Sequence, residues 1–162
     1  VEFDEYVAAR GQHLVRLGLV LSSDHHRAED LAQTALMNAY RHWRRVRAMD
    51  DPHAYVRRIL VNAYLATARR SSSRETPSEL DDVGQAQPDP SLALVEHDAM
   101  WRMLATLPTR ERTVVILRYY EDLDYAAIAT LLGIKDSSAR ASVSKALATL
   151  RAAHDPAEGQ NR

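Results

Sequence analysis

From residue 71 to residue 90 the chain loses every sign of regular structure. Ser71-Ser72-Ser73 opens this stretch, Pro77, Gly84 and Pro88 interrupt it, Pro90 closes it, and no apolar periodicity runs through it. Residues 75–100 hold seven acids and no Lys or Arg, a net charge of −7. This is linker composition, and a structureless segment of that length is uncommon inside one compact domain. The expected organisation is therefore two small domains, 1–72 and 91–153. A flexible acidic linker, 73–90, joins them and should be cut readily by proteases. Residues 154–162 form a tail.

Both flanks read as helix. In the first, Phe3, Tyr6, Val7, Leu14, Leu17 and Leu21 fall near one face of a helix from Glu2 to Leu21, with Gly11 and Gly18 allowing close packing. Ser23 or Asp24 can cap a second helix to about Arg45, whose apolar stripe is Leu31, Ala35, Ala39 and Trp43. Asp51-Pro52 places an N-cap before a Pro at the first helical position. The third helix then runs to about Arg70, with Tyr55, Ile59, Leu60, Ala63 and Ala66 inward. Beyond the linker, Ser91 caps a fourth helix to Ala105, and Leu107-Pro108-Thr109 breaks it and caps a fifth, Arg110 to about Tyr120. Asp124 caps a sixth to Leu132, Gly133 ends it in the left-handed conformation, and Asp136 caps a seventh to about Ala153. No run alternates as a strand would, so the fold class is all-α.

Composition removes several functions. The chain has 162 residues and no Cys, so a disulfide scaffold, a thiolate zinc site and a Cys nucleophile are excluded. No apolar run approaches the roughly 18 residues needed to span a bilayer. The acidic start, Val1 to Glu5, is unlike a secretory leader. The expected location is cytoplasmic, and Val1 in place of Met points to a lost or altered start.

The net charge of −1 conceals a pattern. Residues 1–74 carry twelve Arg against eight acids, and residues 101–151 carry eight basic residues against five acids. Arg41 to Arg74 alone hold nine Arg against two Asp. On charge alone, a solvated helix face and a nucleic-acid surface both fit this stripe.

The sixth and seventh helices carry the most informative spacing. Tyr125 to Ile134 reads as helix, glycine turn and hydrophobic plug, followed at once by a second amphipathic helix. That is a helix-turn-helix layout. Ala139, Val143, Leu147 and Leu150 share one face of the last helix. Ser137, Ser138, Ala141, Ser142 and Lys145 lie opposite, with Arg140 at the side. Small hydroxyl residues and long cations suit a major groove, although an ordinary helical hairpin has a polar outer face too.

These residues carry a resemblance. Thr106 to Arg151, with Leu107-Pro108-Thr109-Arg110-Glu111-Arg112 and Leu117-Arg118-Tyr119-Tyr120-Glu121-Asp122-Leu123, resembles region 4 of bacterial sigma factors of the extracytoplasmic-function group. Ala28 to Gln33, Ala39-Tyr40-Arg41, Trp43 and Asp51 to Asn62 resemble region 2 of the same group, closest to its actinobacterial members. The two matches stand in the family's order. The resemblance implies a region 2 three-helix bundle and a region 4 helix-turn-helix in an alternative sigma factor that directs promoter-specific transcription. Implied partners are core RNA polymerase (clamp helices of the largest subunit, flap of the second-largest), promoter DNA and an anti-sigma factor. No cofactor, metal or catalytic residue is implied.

Residue by residue, the resemblance places core binding on Asp30, Gln33, Tyr40, Arg41 and Trp43. For Trp43 a place in the core fits as well as a place in an interface. It places minus-ten recognition and melting on Arg57, Arg58, Asn62, Arg69, Arg70 and Arg74, with Val46 to His53 as the loop that captures a flipped base. It places minus-thirty-five recognition on Ser137, Ser138, Arg140, Ser142 and Lys145. There the chain departs from the family, which commonly has Gly-Thr-Val-Lys-Ser-Arg where Ser137 to Ser142 stand. The missing cation at Ser142 should weaken phosphate attraction.

Other functions have less to stand on. His25 and Glu29 have a metal-compatible i, i+4 spacing, but no second His motif completes a site, and a polar helix N-terminus explains them. The altered last helix keeps open a sigma-fold mimic, which would sequester an anti-sigma factor without directing transcription.

Overall fold

The computed structural model describes residues 1–73 and 95–154. Among them all regular structure is helical, and the contacts divide the chain into two units, Val1–Asp89 and Pro90–Arg162.

The first unit holds α1 (Phe3–Ser22), α2 (His25–Arg41), α3 (Trp43–Val46) and α4 (Pro52–Ser73). Leu14, Leu17 and Leu21 of α1 are fully buried, as are Ala28, Ala35 and Ala39 of α2 and Val56, Leu60 and Val61 of α4. A large aliphatic side chain removed from water in this way contributes about 1.5–3 kcal/mol. Alanines on α2 let the helices approach. A Cβ on Gly18 would stand 3.0 Å from the Cα of Ala28, so the α1–α2 crossing needs the glycine, whereas a Cβ on Gly11 would meet only Val7, at 3.5 Å.

Between α1 and α2 the two possible caps have separate duties. Ser23 takes the left-handed conformation and ends α1, while the Asp24 carboxylate accepts from the backbone N–H groups of His26 and Arg27. The second helix is shorter than its periodicity suggests. It stops at Arg41, and His42 leaves the helical region (φ −121, ψ 23) before α3 begins. The break accompanies burial of Trp43 and Val46. The Trp43 Nε1–H donates to the carbonyl of Val1 at 3.2 Å, satisfying the indole's only donor.

Asp51 caps α4 as its spacing indicates, accepting from the N–H of Ala54 at 3.0 Å. The inward face of α4 differs from the expected stripe. Val56, Leu60, Val61 and Tyr64 are buried, while Tyr55, Ile59, Ala63 and Ala66 are half-buried. Since α4 packs against both α1 and α2, the bulkier Val-Leu-Tyr series fills the gap between them.

The second unit holds α5 (Val95–Ala105), α6 (Thr109–Val115), a π-helical turn (Ile116–Tyr120), α7 (Tyr125–Leu132) and α8 (Asp136–His154). The expected Ser91 cap and the acidic linker lie outside the described residues, apart from the linker's first residue, Ser73. Thr109 does not cap α6; Pro108 occupies the cap position and supplies the extended entry (φ −53, ψ 149) without a side-chain bond. Arg112 ties the end of α5 to α6 instead, donating to the carbonyls of Leu104 (3.1 Å) and Leu107 (3.0 Å).

The helix expected to reach Tyr120 as α widens after Val115, and the N–H of Glu121 bonds to the carbonyl of Ile116 at 3.0 Å. This keeps Ile116 and Leu117 buried behind Val114 and Val115. Asp124 caps α7 through the N–H of Ala127 at 2.8 Å. Gly133 (φ 68, ψ 36) makes the left-handed turn, for which its freedom from a Cβ is the requirement. Asp136 is the first helical residue of α8, and Lys135 takes the cap position, its carbonyl accepting from Ala139 at 3.0 Å. Ala139, Val143 and Ala146 form the buried seam of α8, with Leu147 and Leu150 half-buried beside it.

Candidate polymerase and promoter interfaces

On the first unit, α2 turns one polar and aromatic stripe to solvent. Asp30, Gln33, Tyr40 and Arg41 are all exposed, Tyr40 to 65%. Met37, exposed to 58%, lies among them at the same helical period. A groove between α1 and α2 is lined by Phe3, Val7, Leu36, Met37 and Tyr40, with Gln33 and Arg41 at its edge. The Phe3 and Tyr40 rings meet edge-on at 5.0 Å. Trp43 does not belong to this exposed face. It is 8% exposed and packs against Phe3 and Tyr6 behind the groove, so the core reading of Trp43 is the one that fits. Met37 and Leu36 went unnoticed in the sequence; the signal available was Met37 standing four residues after Gln33 and three before Tyr40.

The arginines of α4 separate into two groups. Arg58, Asn62 and Arg69, spaced four and seven apart, are exposed on one side of the helix. Arg70 is exposed too, with its Nε 3.5 Å from the carbonyl of Ala66. Arg57 is half-buried on another side, near enough to Tyr6 and His53 to act on the charge of both. Arg74 lies outside the described residues.

The segment 46–53, which runs from the last residue of α3 to the first turn of α4, is anchored at each end. Val46 is fully buried, and the Tyr6 hydroxyl shares a hydrogen bond with Nδ1 of His53 at 2.9 Å. Burial pushes His53 down to about 4, and the charges of Arg10 and Arg57 push the same way. Burial also pushes the Tyr6 phenol up to about 12, against the pull of the same two arginines. At neutral pH the pair is therefore an uncharged latch between α1 and the first turn of α4.

In the second unit, α8 exposes a ridge of Ser137, Ala141 and Ser144. Ser144 is an addition that the sequence reading passed over. Ser138 and Ser142 are half-buried on the flank. The two cations sit on opposite edges of the ridge and are held differently. Lys145 Nζ lies 3.5 Å from the carboxylate of buried Glu111, while the guanidinium of Arg140 lies over the Tyr125 ring at 4.7 Å. The guanidinium of Arg118 lies over the same ring at 5.1 Å. His25, the first residue of α2, stands directly after the Asp24 cap.

Comparison with known proteins matches both units. The family described as "Sigma-70 region 2" covers residues 7–74, and "Sigma-70, region 4" covers residues 97–150. The RNA polymerase sigma-E factor of Streptomyces coelicolor is 31% identical over 157 residues, covering 93% of this chain and 85% of that protein. The extracytoplasmic-function sigma factor SigL of Mycobacterium tuberculosis is 28% identical, covering 92% and 84%. Among solved structures, the sigma factor RpoE from Bartonella quintana, in complex with the anti-sigma factor NepR, aligns over 99% of this chain and 98% of its own, with a TM-score of 0.70 and 22% identity. No helix of the described residues is long and apolar enough to cross a membrane. Two region matches, together with the identity to sigma-E over most of both chains, lead to one assignment: the chain belongs to the sigma-70 family, in its extracytoplasmic-function group.

Proposed function

We propose that this sigma factor divides promoter-specific initiation among three surfaces. The exposed stripe of α2, Asp30, Gln33, Tyr40 and Arg41 with Met37, docks on the clamp helices of core polymerase. Charged and amide groups around a protruding aromatic and a pliable methionine suit a protein interface with a desolvated centre. Arg58, Asn62 and Arg69 on α4, with the latched 46–53 loop, take the melted minus-ten strand. Arg70 and Arg74 extend that cationic track, and Arg57 supports the loop from behind.

Opening DNA costs stacking of about 1.4 kcal/mol per base-pair step. Contacts to the extruded strand and to polymerase offset this, with no nucleotide hydrolysis by the chain. The reading assigns the chain no catalytic residue; bond making belongs to the polymerase.

The second unit meets the upstream duplex with α8 and the polymerase flap with the rest of its surface. Ser137, Ala141 and Ser144 are small enough to let the helix enter a major groove, while Arg140 and Lys145 reach backbone phosphates from its edges. With Ser142 in place of the family's arginine, this contact is weaker and less salt-dependent than in relatives that keep the cation. An anti-sigma factor, such as the one that RpoE carries in its complex, would restrain this chain by competing for polymerase-facing residues. A cytoplasmic location follows from the same reading, since core polymerase and DNA are there.

The observation that carries the proposal is the separation, within one unit, of an apolar groove edged by Gln33, Tyr40 and Arg41 from a cation-and-amide face on α4. Run-off transcription with core polymerase on a genomic fragment library tests it. Initiation from defined sites is the expected result. Tight anti-sigma binding without core binding would favour the mimic.

A further inference from the structure

The tyrosine that opens α7 gathers two cations. Arg140, on the outer edge of α8, holds its guanidinium 4.7 Å from the centre of the Tyr125 ring. Arg118, from the π-helical turn, holds its own 5.1 Å from the same centre. Each element of this cluster is fixed from below. Arg118 donates to the carbonyl of Leu123 at 3.1 Å. The neighbouring backbone is pinned by the N–H of Leu123 bonding to the carbonyl of Leu117 at 3.0 Å. Asp124 caps α7 immediately before Tyr125. Arg140 is the exposed end of the series, and among the described residues it has no carboxylate partner, unlike Lys145 with Glu111.

We infer that Tyr125 is a positioning residue for Arg140, and that its ring face, rather than its hydroxyl, aims the guanidinium at a phosphate of the upstream duplex. The physical argument has two parts. A long exposed cation loses rotamer freedom when it binds, and that loss weakens association; a guanidinium already resting on an aromatic face has given up part of that freedom beforehand. In addition, two like charges over one ring repel, and a phosphate arriving beside them relieves the repulsion. The effect matters in this chain because Ser142 offers no cation, which leaves Arg140 as the main unpaired positive charge on the ridge of α8. The inference rests on the reading of α8 as the promoter-facing helix.

The test uses the full chain with two measurements. Nuclear magnetic relaxation of the Arg140 Nε–H reports the positioning directly. Restricted motion in the wild type and in Tyr125→Phe, and freer motion in Tyr125→Leu, is expected; equal mobility in all three overturns the inference. Binding of core-associated chain to a fluorescent duplex selected from a random pool reports the consequence. Tyr125→Leu should weaken binding about two- to five-fold, Tyr125→Phe should match the wild type, and Tyr125→Leu should add nothing to Arg140→Gln. Weakening by Arg140→Gln without weakening by Tyr125→Leu, or equal weakening by Tyr125→Phe, overturns the positioning role. No weakening by Arg140→Gln removes Arg140 from the phosphates and overturns the inferred aim, while the relaxation result still decides whether the ring holds the arginine. Tyr125→Met serves both measurements if the leucine variant does not fold.

Discussion

The candidate faces of the first unit, on α2 and α4, present large side chains, and α8 of the second presents small ones. Tyr40 and Met37 stand out from α2 beside an apolar groove, and long arginines flank Asn62 on α4. The ridge of α8 is Ser, Ala and Ser, with its two cations drawn to the edges by Glu111 and Tyr125. The first unit depends on volume packed across an α1–α2 crossing that would have to shift its Ala28 backbone to admit a Cβ at Gly18. The second packs Leu107, Ile116, Leu117 and Ile128 and adds backbone devices: a glycine at positive φ, a π-helical turn and an arginine that binds carbonyls of the preceding helix end and its turn. Protein anchors and single-stranded bases call for bulk and stacking. A duplex groove calls for a helix with little on it.

The largest expected effect separates a packed core position from a backbone device. Leu17→Ala should lower stability by about 2–5 kcal/mol, as large-to-small changes at fully buried sites do. Gly133→Ala should cost only about 1–2 kcal/mol, the strain of a Cβ in the left-handed region, because open space surrounds the position. Chemical denaturation measures both, and equal losses would erase the distinction.

Next in size is the docking anchor. Tyr40→Ala should weaken core association about ten-fold or more, the range of an interface hot spot. Trp43→Phe should instead lower stability and leave affinity nearly unchanged, because the indole is inside. A competition assay against a labelled sigma factor decides, and the reverse ranking would move the interface.

On α4, Arg58→Ala and Asn62→Ala should each cut open-complex formation several-fold while core affinity holds within about two-fold. Parallel loss of both would contradict the separation of the faces.

The His53 latch adds a pH dependence confined to the first unit. The imidazole titrates near 4 in the fold and near 6.5 when unfolded. Between those values the unfolded chain binds the extra proton, so stability falls as pH drops from about 6.5 to 4. His53→Gln should flatten that slope in a series of melts, and an unchanged slope would exclude the latch.

The smallest effect belongs to Lys145→Ala. Its ammonium already lies against the Glu111 carboxylate, which offsets its charge toward a phosphate, so duplex affinity should change by less than about two-fold; a larger loss would make Lys145 a principal DNA contact.

Local chemistry was legible in the sequence, and long-range packing was not. Asp24, Asp51, Asp124 and Gly133 act where their neighbours indicated, because a cap or a left-handed turn is decided within four residues. The stop at His42 was hidden because it goes with burying Trp43 against Phe3 and Tyr6, some forty residues earlier. The inward face of α4 was misplaced because two helices compete for it. Among the candidate surfaces, the α2 stripe followed from spacing on one helix. The groove beside it did not, since Phe3 and Val7 come from α1. Tyr125 went unnoticed because its two arginines come from separate elements.

Permanganate reactivity of thymines in promoter DNA, with core polymerase and this chain together, tests the central claim most directly. The account predicts reactive thymines on the non-template strand next to the start site, present with wild-type chain and sharply reduced with Asn62→Ala at equal core occupancy. Unreactive DNA under a fully occupied polymerase would contradict it.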